Sequence, residues 1–194
     1  MSQTVTRYDV DGHPVFQSYP LRGLADYNQI SQGRRTSYDA LGRATRVEQD
    51  SERGVLTTTT DYLDGFQTRV TNPRGQATTT RYLAFDQPVS DWPTAITAPE
   101  GVYTDILRDR FGKPQSVTRR NAGASLSASR RYVYDGNERL CKTIEPETGS
   151  TVLNYDAAGN LAWSAAGLNL PSTASCDTAS ASSSGRRVDR SYDA

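Results

Sequence analysis

The sequence contains few of the residues on which enzymes most often rely for acid-base, thiol or metal chemistry. It has one His and two Cys among 194 residues. His13 lies in Asp11-Gly12-His13-Pro14, a segment typical of a surface turn, and no second His or Cys-His arrangement supports a triad or a zinc site. Gly-x-Gly-x-x-Gly and Walker-type loops are also missing. We therefore expect a protein that is not an enzyme and that needs neither a cofactor nor a metal.

Charge and hydropathy argue against two further classes of protein. Lys plus Arg is 22 and Asp plus Glu is 22, so the formal net charge is zero, whereas nucleic-acid binders usually carry a basic excess. No apolar run reaches the roughly 18 residues of a membrane span. Residues 1–6 lack the basic start and apolar stretch of a signal peptide. We expect no nucleic-acid partner and no membrane span, and no signal peptide within this chain.

Hydrophobic residues are sparse, but the aromatic and β-branched residues that remain favour strands. Only 35% of the residues are hydrophobic, while Tyr occurs 11 times. Thr57 to Thr60 and Thr78 to Thr80 suit a pleated, half-wet surface and would form poor helices. The composition therefore indicates amphipathic β-structure.

A short motif, Tyr-Asp-x-x-Gly, recurs along the chain and identifies it as a repeat protein. Some copies are complete, others lose the Tyr or shift the Gly, and the last begins just before the sequence ends. The Asp is expected to close a turn by accepting backbone amide hydrogen bonds, and the Tyr ring to cover the neighbouring strand. The anchors of these copies are Tyr8, Asp9, Gly12, Tyr38, Asp39, Gly42, Tyr62, Gly65, Tyr82, Asp109, Gly112, Tyr134, Asp135, Tyr155, Asp156, Gly159, Tyr192 and Asp193.

The spacing between turn signals predicts antiparallel hairpins. A second kind of turn, with Pro followed by Gly, alternates with the motif, as in Asn72-Pro73-Arg74-Gly75. Gly42 to Gly54 and Gly65 to Gly75 are separated by 12 and 10 residues. Turns at intervals of about 8–12 residues are typical of successive short strands. We predict an all-β fold of repeated antiparallel hairpins that form a curved, spiralling sheet.

At Tyr38-Asp39-Ala40-Leu41-Gly42-Arg43 and Tyr155-Asp156-Ala157-Ala158-Gly159-Asn160 the chain resembles the Rhs, or YD-repeat, family, which is related to toxin-complex and teneurin shells. The resemblance covers most of residues 1–170. It implies a hairpin sheet that in longer relatives closes as a hollow shell around a C-terminal toxin. The family's Asp-Pro-x-Gly-Leu segment and a toxin domain are absent from this sequence.

The resemblance implies a non-catalytic fragment of a shell or scaffold, and two alternatives stay open. One is a carbohydrate- or cell-surface-binding repeat module; the other is a truncated remnant without independent function. The expected partners are the remaining repeats of a longer shell or a toxin cargo, and glycans under the first alternative. The expected location is outside the cell or at its surface, as part of a longer parent. Alone, the fragment is expected to be marginally stable or to associate through its strand edges.

Three segments are distinguished. Residues 1–170 form the predicted hairpin array, residues 171–187 form an exposed loop rich in Ser and Ala, and residues 188–194 begin a further repeat. Cys141 and Cys176 offer one disulfide, which would tether that loop to the array, but two free thiols fit the sequence equally well.

Trp92 and Trp163 are the candidate glycan contacts. Indole rings next to Asp, Asn or Arg can stack on a pyranose, whereas the plainer interpretation is that both rings cover the sheet or fill a gap between hairpins.

Overall fold

A computed structural model describes residues 2–23, 26–84 and 89–192. The chain divides into two compact units, Met1–Val89 and Ser90–Ala194. Within the described residues almost all regular structure is strand, and every strand pair is antiparallel, as the hairpin prediction requires. No helix in this part of the chain is long and apolar enough to cross a membrane.

The first unit is a meander of hairpins. A small pair joins β1 to β4, and the main sheet runs in the order β9-β8-β7-β6-β5-β3-β2. A 3-10 helix at Tyr27–Gln29 lies in the connection from β4 to β5. The strands are β1 Ser2–Gln3, β2 Thr6–Tyr8, β3 Pro14–Ser18, β4 Leu21–Arg22, β5 Gly33–Tyr38, β6 Ala44–Ser51, β7 Gly54–Leu63, β8 Gln67–Thr71 and β9 Ala77–Tyr82.

The second unit repeats the arrangement, with strand order β17-β16-β15-β14-β13-β12-β11-β10. A 3-10 helix, Pro99–Gly101, makes the turn between β10 and β11. Its elements are β10 Pro93–Ala98, β11 Val102–Arg108, β12 Pro114–Asn121, β13 Ser127–Tyr134, β14 Leu140–Glu145, β15 Gly149–Tyr155, β16 Leu161–Leu168, helix α1 Thr178–Ser182 and β17 Arg187–Asp189.

Strand alternation gives the sheet of the first unit two chemically different faces. Directly paired residues lie on the same face, so the pairing of Arg35 with Glu48 and of Asp61 with Arg69 places charged side chains together on one face. The other face carries uncharged pairs such as Thr36 with Val47 and Thr60 with Val70. No residue of β6 to β9 is buried on either face.

The core of the second unit lies under the connection between β16 and β17, residues 169–186, here called the strap. Val152, Trp163, Ala165 and Leu168 from the sheet form one buried cluster with Ala181 of α1. The strap is exposed over most of its length, in keeping with its Ser-rich composition. Through Ala181 the strap covers the apolar side chains of the sheet, which the hairpins alone would leave exposed.

Candidate functional site

In five of the described motif copies the Asp closes its turn through one carboxylate oxygen. Asp39 Oδ1 accepts hydrogen bonds from the Leu41 and Arg43 amides at 2.9 and 3.0 Å. The same oxygen of Asp135 accepts from the Asn137 and Arg139 amides, both at 2.9 Å. This is the Asx closure expected from the sequence. Asp9, Asp109 and Asp156 also accept through Oδ1 from the amide four residues ahead.

The backbone of these turns is a type I turn followed by a left-handed residue. The Gly42 amide donates to the Asp39 carbonyl at 3.0 Å, and the Asp39 amide donates to the Arg43 carbonyl at 2.9 Å. Gly42 has φ of 73°, which costs a glycine little. In the shifted copy at Asp135 the left-handed position is held by Glu138, with φ of 63°. The shift of Gly in that copy therefore changes the residue but leaves the turn intact.

The second carboxylate oxygen binds the side chain of the residue that follows the left-handed position. Arg43 Nε and Arg139 Nε lie 2.8 and 2.9 Å from Oδ2 of their turn Asp. The Arg43 side chain and, next, its amide hold the pKa of Asp39 below its usual value. Around Asp135 desolvation is the largest influence and raises the pKa, but the hydrogen bonds from Arg139 and Asn137 together outweigh it, so the pKa is lowered.

In five motif copies among the described residues, the Tyr hydroxyl bonds a backbone carbonyl just after the preceding turn. Tyr38 donates to the Pro14 carbonyl at 3.0 Å and Tyr62 to the Ala44 carbonyl at 3.1 Å. In both cases the acceptor lies five residues after the Asp of the earlier turn. We call this hydrogen bond the stitch. The second unit contains three more: Tyr134 to Pro114, Tyr155 to Leu140 and Tyr192 to Leu161, at 2.9, 2.8 and 3.3 Å.

One copy makes a similar hydrogen bond without a Tyr, to Pro93, the first residue of β10. The sequence has Arg108 where the other copies have Tyr, immediately before Asp109. Arg108 Nε donates to the Pro93 carbonyl at 2.9 Å, and its Nη1 donates to the Gly112 carbonyl at 2.6 Å. The guanidinium thus makes the inter-turn hydrogen bond that a phenol makes elsewhere.

Basic side chains of one turn also cover the Tyr ring of the next. Arg43 Cζ lies 4.0 Å from the Tyr62 ring centre, and Arg139 Cζ lies 4.7 Å from that of Tyr155. Lys113 Nζ lies 5.0 Å from the Tyr134 ring centre. Such cation–π contacts stabilise by about 0.5–1 kcal/mol at exposed sites. The same basic residue therefore binds its own turn Asp and the ring of the following repeat.

Two rings pack directly on turn glycines. A Cβ added to Gly42 would lie 2.8 Å from His13 Nε2, and one added to Gly112 would lie 2.8 Å from Trp92 Cε2. His13 also stacks on Tyr38, with ring centres 4.9 Å apart. These glycines are required both by their positive φ and by the ring above them.

The remaining anchors are placed as follows. Gly65 has φ of 73° in the turn after Tyr62, and Tyr82 Oη lies 3.3 Å from Thr68 Oγ1, a hydroxyl contact in place of a carbonyl stitch. Tyr8 is largely exposed. Asp193 lies outside the described residues, as do Phe85 and Asp86 of the loose copy that begins at Tyr82.

The structure corrects the glycan hypothesis for Trp163. This ring has 6% of its surface exposed and belongs to the core beneath the strap, with Arg187 5.2 Å from the ring centre. It is therefore closed to a sugar, and the plainer interpretation of a covered ring applies. Trp92 is half-buried, and one face of its ring packs against Gly112.

Cys141 and Cys176 form a disulfide, with their Cα atoms 5.4 Å apart. Next to it, sequence reasoning missed Lys142, whose side chain has no exposed surface and whose Nζ is paired with Asp177 Oδ2. The Lys142 hydrogen bond, followed by that of Ser175, lowers the pKa of Asp177. The disulfide and this ion pair together attach the strap to β14. A lysine within a strand gave no sequence signal for burial.

The turn predicted at Asn72-Pro73-Arg74-Gly75 is present, but sequence reasoning missed that it has the same Asx geometry as the motif turns. Asn72 Oδ1 accepts from the Arg74 and Gln76 amides, both at 3.0 Å. The signal was present, because Asn can replace Asp in an Asx closure.

Asp9, Asp11 and His13 are the one group among the described residues whose ligand atoms approach as a metal site would, within 4.8 Å of one another. Asp9 Oδ1, however, accepts the Asp11 and His13 amides at 3.0 and 2.8 Å, and Oδ2 lies 3.2 Å from His13 Nδ1. The group has the same geometry as the other turns. It is explained by turn closure.

Comparisons with known proteins give a fold. No family model matches the chain, and no curated protein matches it. A solved structure described as TcdB2-TccC3-Cdc42 matches with a TM-score of 0.60 at 14% identity, over 87% of this chain and 9% of that one. The chain shares its fold with part of that protein. Structures of TcdB2-TccC3-TEV and TcdB2-TccC3 also match at 14% identity, over 83% of this chain and 13% of theirs, with TM-scores of 0.26 and 0.27.

Proposed function

We propose that the chain is a non-catalytic wall segment of an Rhs-type YD-repeat shell, which works as part of a longer assembly with further repeats or a toxin cargo. The observation that carries this proposal is the stitch. Five Tyr hydroxyls each donate to the backbone carbonyl of the residue five positions after the Asp of the preceding turn. They are those of Tyr38, Tyr62, Tyr134, Tyr155 and Tyr192. A Tyr used in this way has a structural role, because its hydrogen bond fixes the distance between one repeat and the next.

The turn carboxylates support a structural role over a catalytic one. In Asp39 and Asp135 one oxygen binds two amides and the other binds an arginine. A general base needs a free oxygen within reach of the proton that it removes. Carboxylates occupied on both oxygens suit turn closure. We therefore propose that the repeats have no enzyme activity of their own.

Two further observations support a longer, extracellular parent. The similar TcdB2-TccC3-Cdc42 chain is far longer than the part that this chain resembles, since only 9% of it is covered. The Cys141–Cys176 disulfide suits an oxidising compartment or the cell exterior. We place the working protein outside the cell or at its surface.

The proposal is tested on the protein isolated from its native cells, whatever the length of the polypeptide that contains these residues. Light scattering coupled to size exclusion would give its mass, and electron microscopy would give its shape. We expect a hollow particle much larger than one 194-residue chain, built from a longer polypeptide or from several. A stable, compact native monomer of this size that recruits no other chain would overturn the proposal.

A further inference from the structure

The turns at the two ends of the strands in the first unit differ in chemistry. At one end, here called the motif edge, are the turns after β2, β5 and β7; at the other, here called the opposite edge, are the turns after β6 and β8. Each turn of the motif edge exposes a large apolar side chain, whereas those of the opposite edge expose charged ones. The apolar side chains are those of Val10, Leu41 and Phe66, which are 100%, 76% and 54% exposed.

Phe66 is the most unusual of these side chains. Its backbone is left-handed, with φ of 55°, a conformation that a bulky residue rarely adopts. Asn or Gly at this position would adopt the same turn with little strain. The ring gains little burial in exchange, because 54% of the residue stays exposed. An exposed aromatic ring on a strained backbone points to a contact outside the chain.

A cleft of about 780 Å3 opens at the opposite edge, between the turns after β6 and β8. Leu56 and Pro73 supply its apolar surface. The uncharged polar side chains beside them already have partners, because Asn72 and Gln76 bond to each other at 3.1 Å and Ser51 bonds to a carbonyl of its own turn. Pockets for small ligands usually occupy about 300–1,000 Å3. The cleft is therefore large enough for an aromatic side chain and suited to one.

The charges around the cleft and around the turn of Phe66 are complementary. Arg53, Arg74 and Glu52 line the cleft, two positive charges against one negative, so its net charge is one positive. Within the described ranges none of the three forms an ion pair. Asp64, two residues before Phe66, is exposed and also has no ion pair in this part of the chain. Opposite charges of this kind favour the approach of the turn to the cleft.

The cleft cannot receive the Phe66 of its own chain. Strand β7 runs from one edge to the other, and its 10 residues, at about 3.3 Å each, span about 33 Å. Successive turns on either edge lie two strands apart, which is about 9.6 Å. Two such sheets placed edge to edge therefore have turns of the same period, and a second copy of the chain presents the matching side chain.

We propose that copies of this chain associate edge to edge, with Phe66 of one copy in the cleft between Leu56 and Pro73 of the next. The motif edge of one copy meets the opposite edge of the other, so the contact is head-to-tail and leaves a free Phe66 at one end and a free cleft at the other. The inference rests on the proposed wall function, because it supplies a contact between neighbouring rows of hairpins. It can fail by itself, since a native particle held together by other contacts would leave the wall function standing.

The first test removes the ring. Sedimentation of the full chain is measured from about 10 µM to about 1 mM, because small contacts bind weakly. The mass of the wild type should rise with concentration, and Phe66→Asn should weaken this association about tenfold or more. Asn suits the left-handed backbone, so Phe66→Asn should unfold at no lower temperature than the wild type, which separates a lost contact from a lost fold.

The matched control for this test is Leu126→Asn. Leu126 is 74% exposed in the turn between β12 and β13, outside the proposed contact, and its replacement should leave the association unchanged. A wild type that stays monomeric at every concentration, or equal association of Phe66→Asn and the wild type, would overturn the proposal.

The second test mixes two chains that each lack one half of the contact. Leu56→Glu places a charge in the cleft and should stay monomeric alone, as should Phe66→Asn. Their equimolar mixture should form a dimer and nothing larger, because Leu56→Glu keeps the ring and Phe66→Asn keeps the cleft. A mixture that remains monomeric, or one that forms larger species, would refute the head-to-tail contact.

The third test exchanges the charges. Asp64→Lys and Arg74→Asp each place like charges opposite one another, so each should weaken self-association about threefold or more. The chain with both substitutions restores opposite charges and should associate like the wild type. A double variant that associates no better than either single one would show that these charges do not meet in the contact.

Discussion

Strands β14 to β16 and strands β6 to β9 belong to similar hairpins but differ in how they are covered. In β14 to β16 one face lies under the strap, and Val152 and Lys142 have no exposed surface. In β6 to β9 no residue is buried. Stitches occur in both regions, since Tyr155 donates to Leu140 and Tyr62 to Ala44. The repeat thus specifies how hairpins join edge to edge, while the core depends on a segment from outside the repeat.

The open region teaches what a hairpin can achieve without a core. Its contacts are ladder hydrogen bonds, cross-strand pairs such as Arg69 with Asp61 at 3.0 Å, and the cation over the Tyr62 ring. Exposed ion pairs stabilise by at most about 1 kcal/mol, and cross-strand pairs by about 0.2–1 kcal/mol. Such a sheet gains its stability in small increments. The covered region should therefore respond far more strongly to single substitutions.

The largest expected effect is the loss of the disulfide that holds the strap. A 35-residue separation gives a loop-closure contribution of about 3–4 kcal/mol, so Cys141→Ser with Cys176→Ser should lower the free energy of unfolding by about that amount. Urea unfolding followed by Trp fluorescence is a suitable measurement, because both Trp residues lie in the second unit. Oxidised and reduced wild type provide the matched pair. A difference below about 1 kcal/mol between them would show that the strap is held by other contacts.

Next in size is a comparison of two leucines. Leu168 is 7% exposed in the covered region and Leu56 is 41% exposed in the open one. Leu168→Ala leaves a cavity and should cost about 2–4 kcal/mol, whereas Leu56→Ala should cost less than about 1 kcal/mol. Urea unfolding followed by circular dichroism measures both units. Equal costs would mean that the open face of β7 is covered in solution.

A smaller effect is expected where the two regions are alike. Tyr155→Phe and Tyr62→Phe each remove one stitch, at 2.8 and 3.1 Å, and a single hydrogen bond contributes about 1 kcal/mol net. We expect similar losses in the two regions when each variant is unfolded in urea. A loss confined to Tyr155→Phe would show that the stitch depends on the core and would remove the basis of the proposed wall function.

The same contrast explains what could be predicted from the sequence. The hairpins were predictable because Asp39 and Gly42 close their turn within five residues, and local hydrogen bonds leave local signals. The stitch partners were not, since the separation from Tyr to acceptor varies from 15 residues at Tyr155 to 31 at Tyr192. The offset is constant only from the preceding turn Asp, and the Pro, Ala or Leu at the acceptor position carries no sign that its carbonyl is bound.

The covered region was the least predictable for the same reason. Trp163 lies in a strand between Ala162 and Ser164, a position that suits a buried ring and an exposed one equally, and only the strap decides between them. The pairing of Cys141 with Cys176 and the burial of Lys142 also depend on where the strap lies. A segment rich in Ser and Ala has too little hydrophobic periodicity to predict its own docking.

The smallest expected effect is a change in how stability depends on pH, and it sharpens the comparison because it arises in the turns alone. The pKa of Asp39 is lowered by the Arg43 side chain and then by the Arg43 amide. A carboxyl with a lowered folded pKa adds stability that is fully present above the unfolded value of about 3.9 and is lost as the pH falls through the folded value. Asp39→Asn keeps a side-chain oxygen that can accept the backbone amide hydrogen bonds, but the side chain cannot titrate. The unfolding free energy of this variant should therefore fall less steeply than that of the wild type between about pH 4 and pH 2. Asp135→Asn, at a second turn whose carboxyl also has a lowered pKa, should flatten the slope in the same way. Parallel slopes for Asp39→Asn and the wild type would show that turn closure does not depend on the charge of the carboxylate.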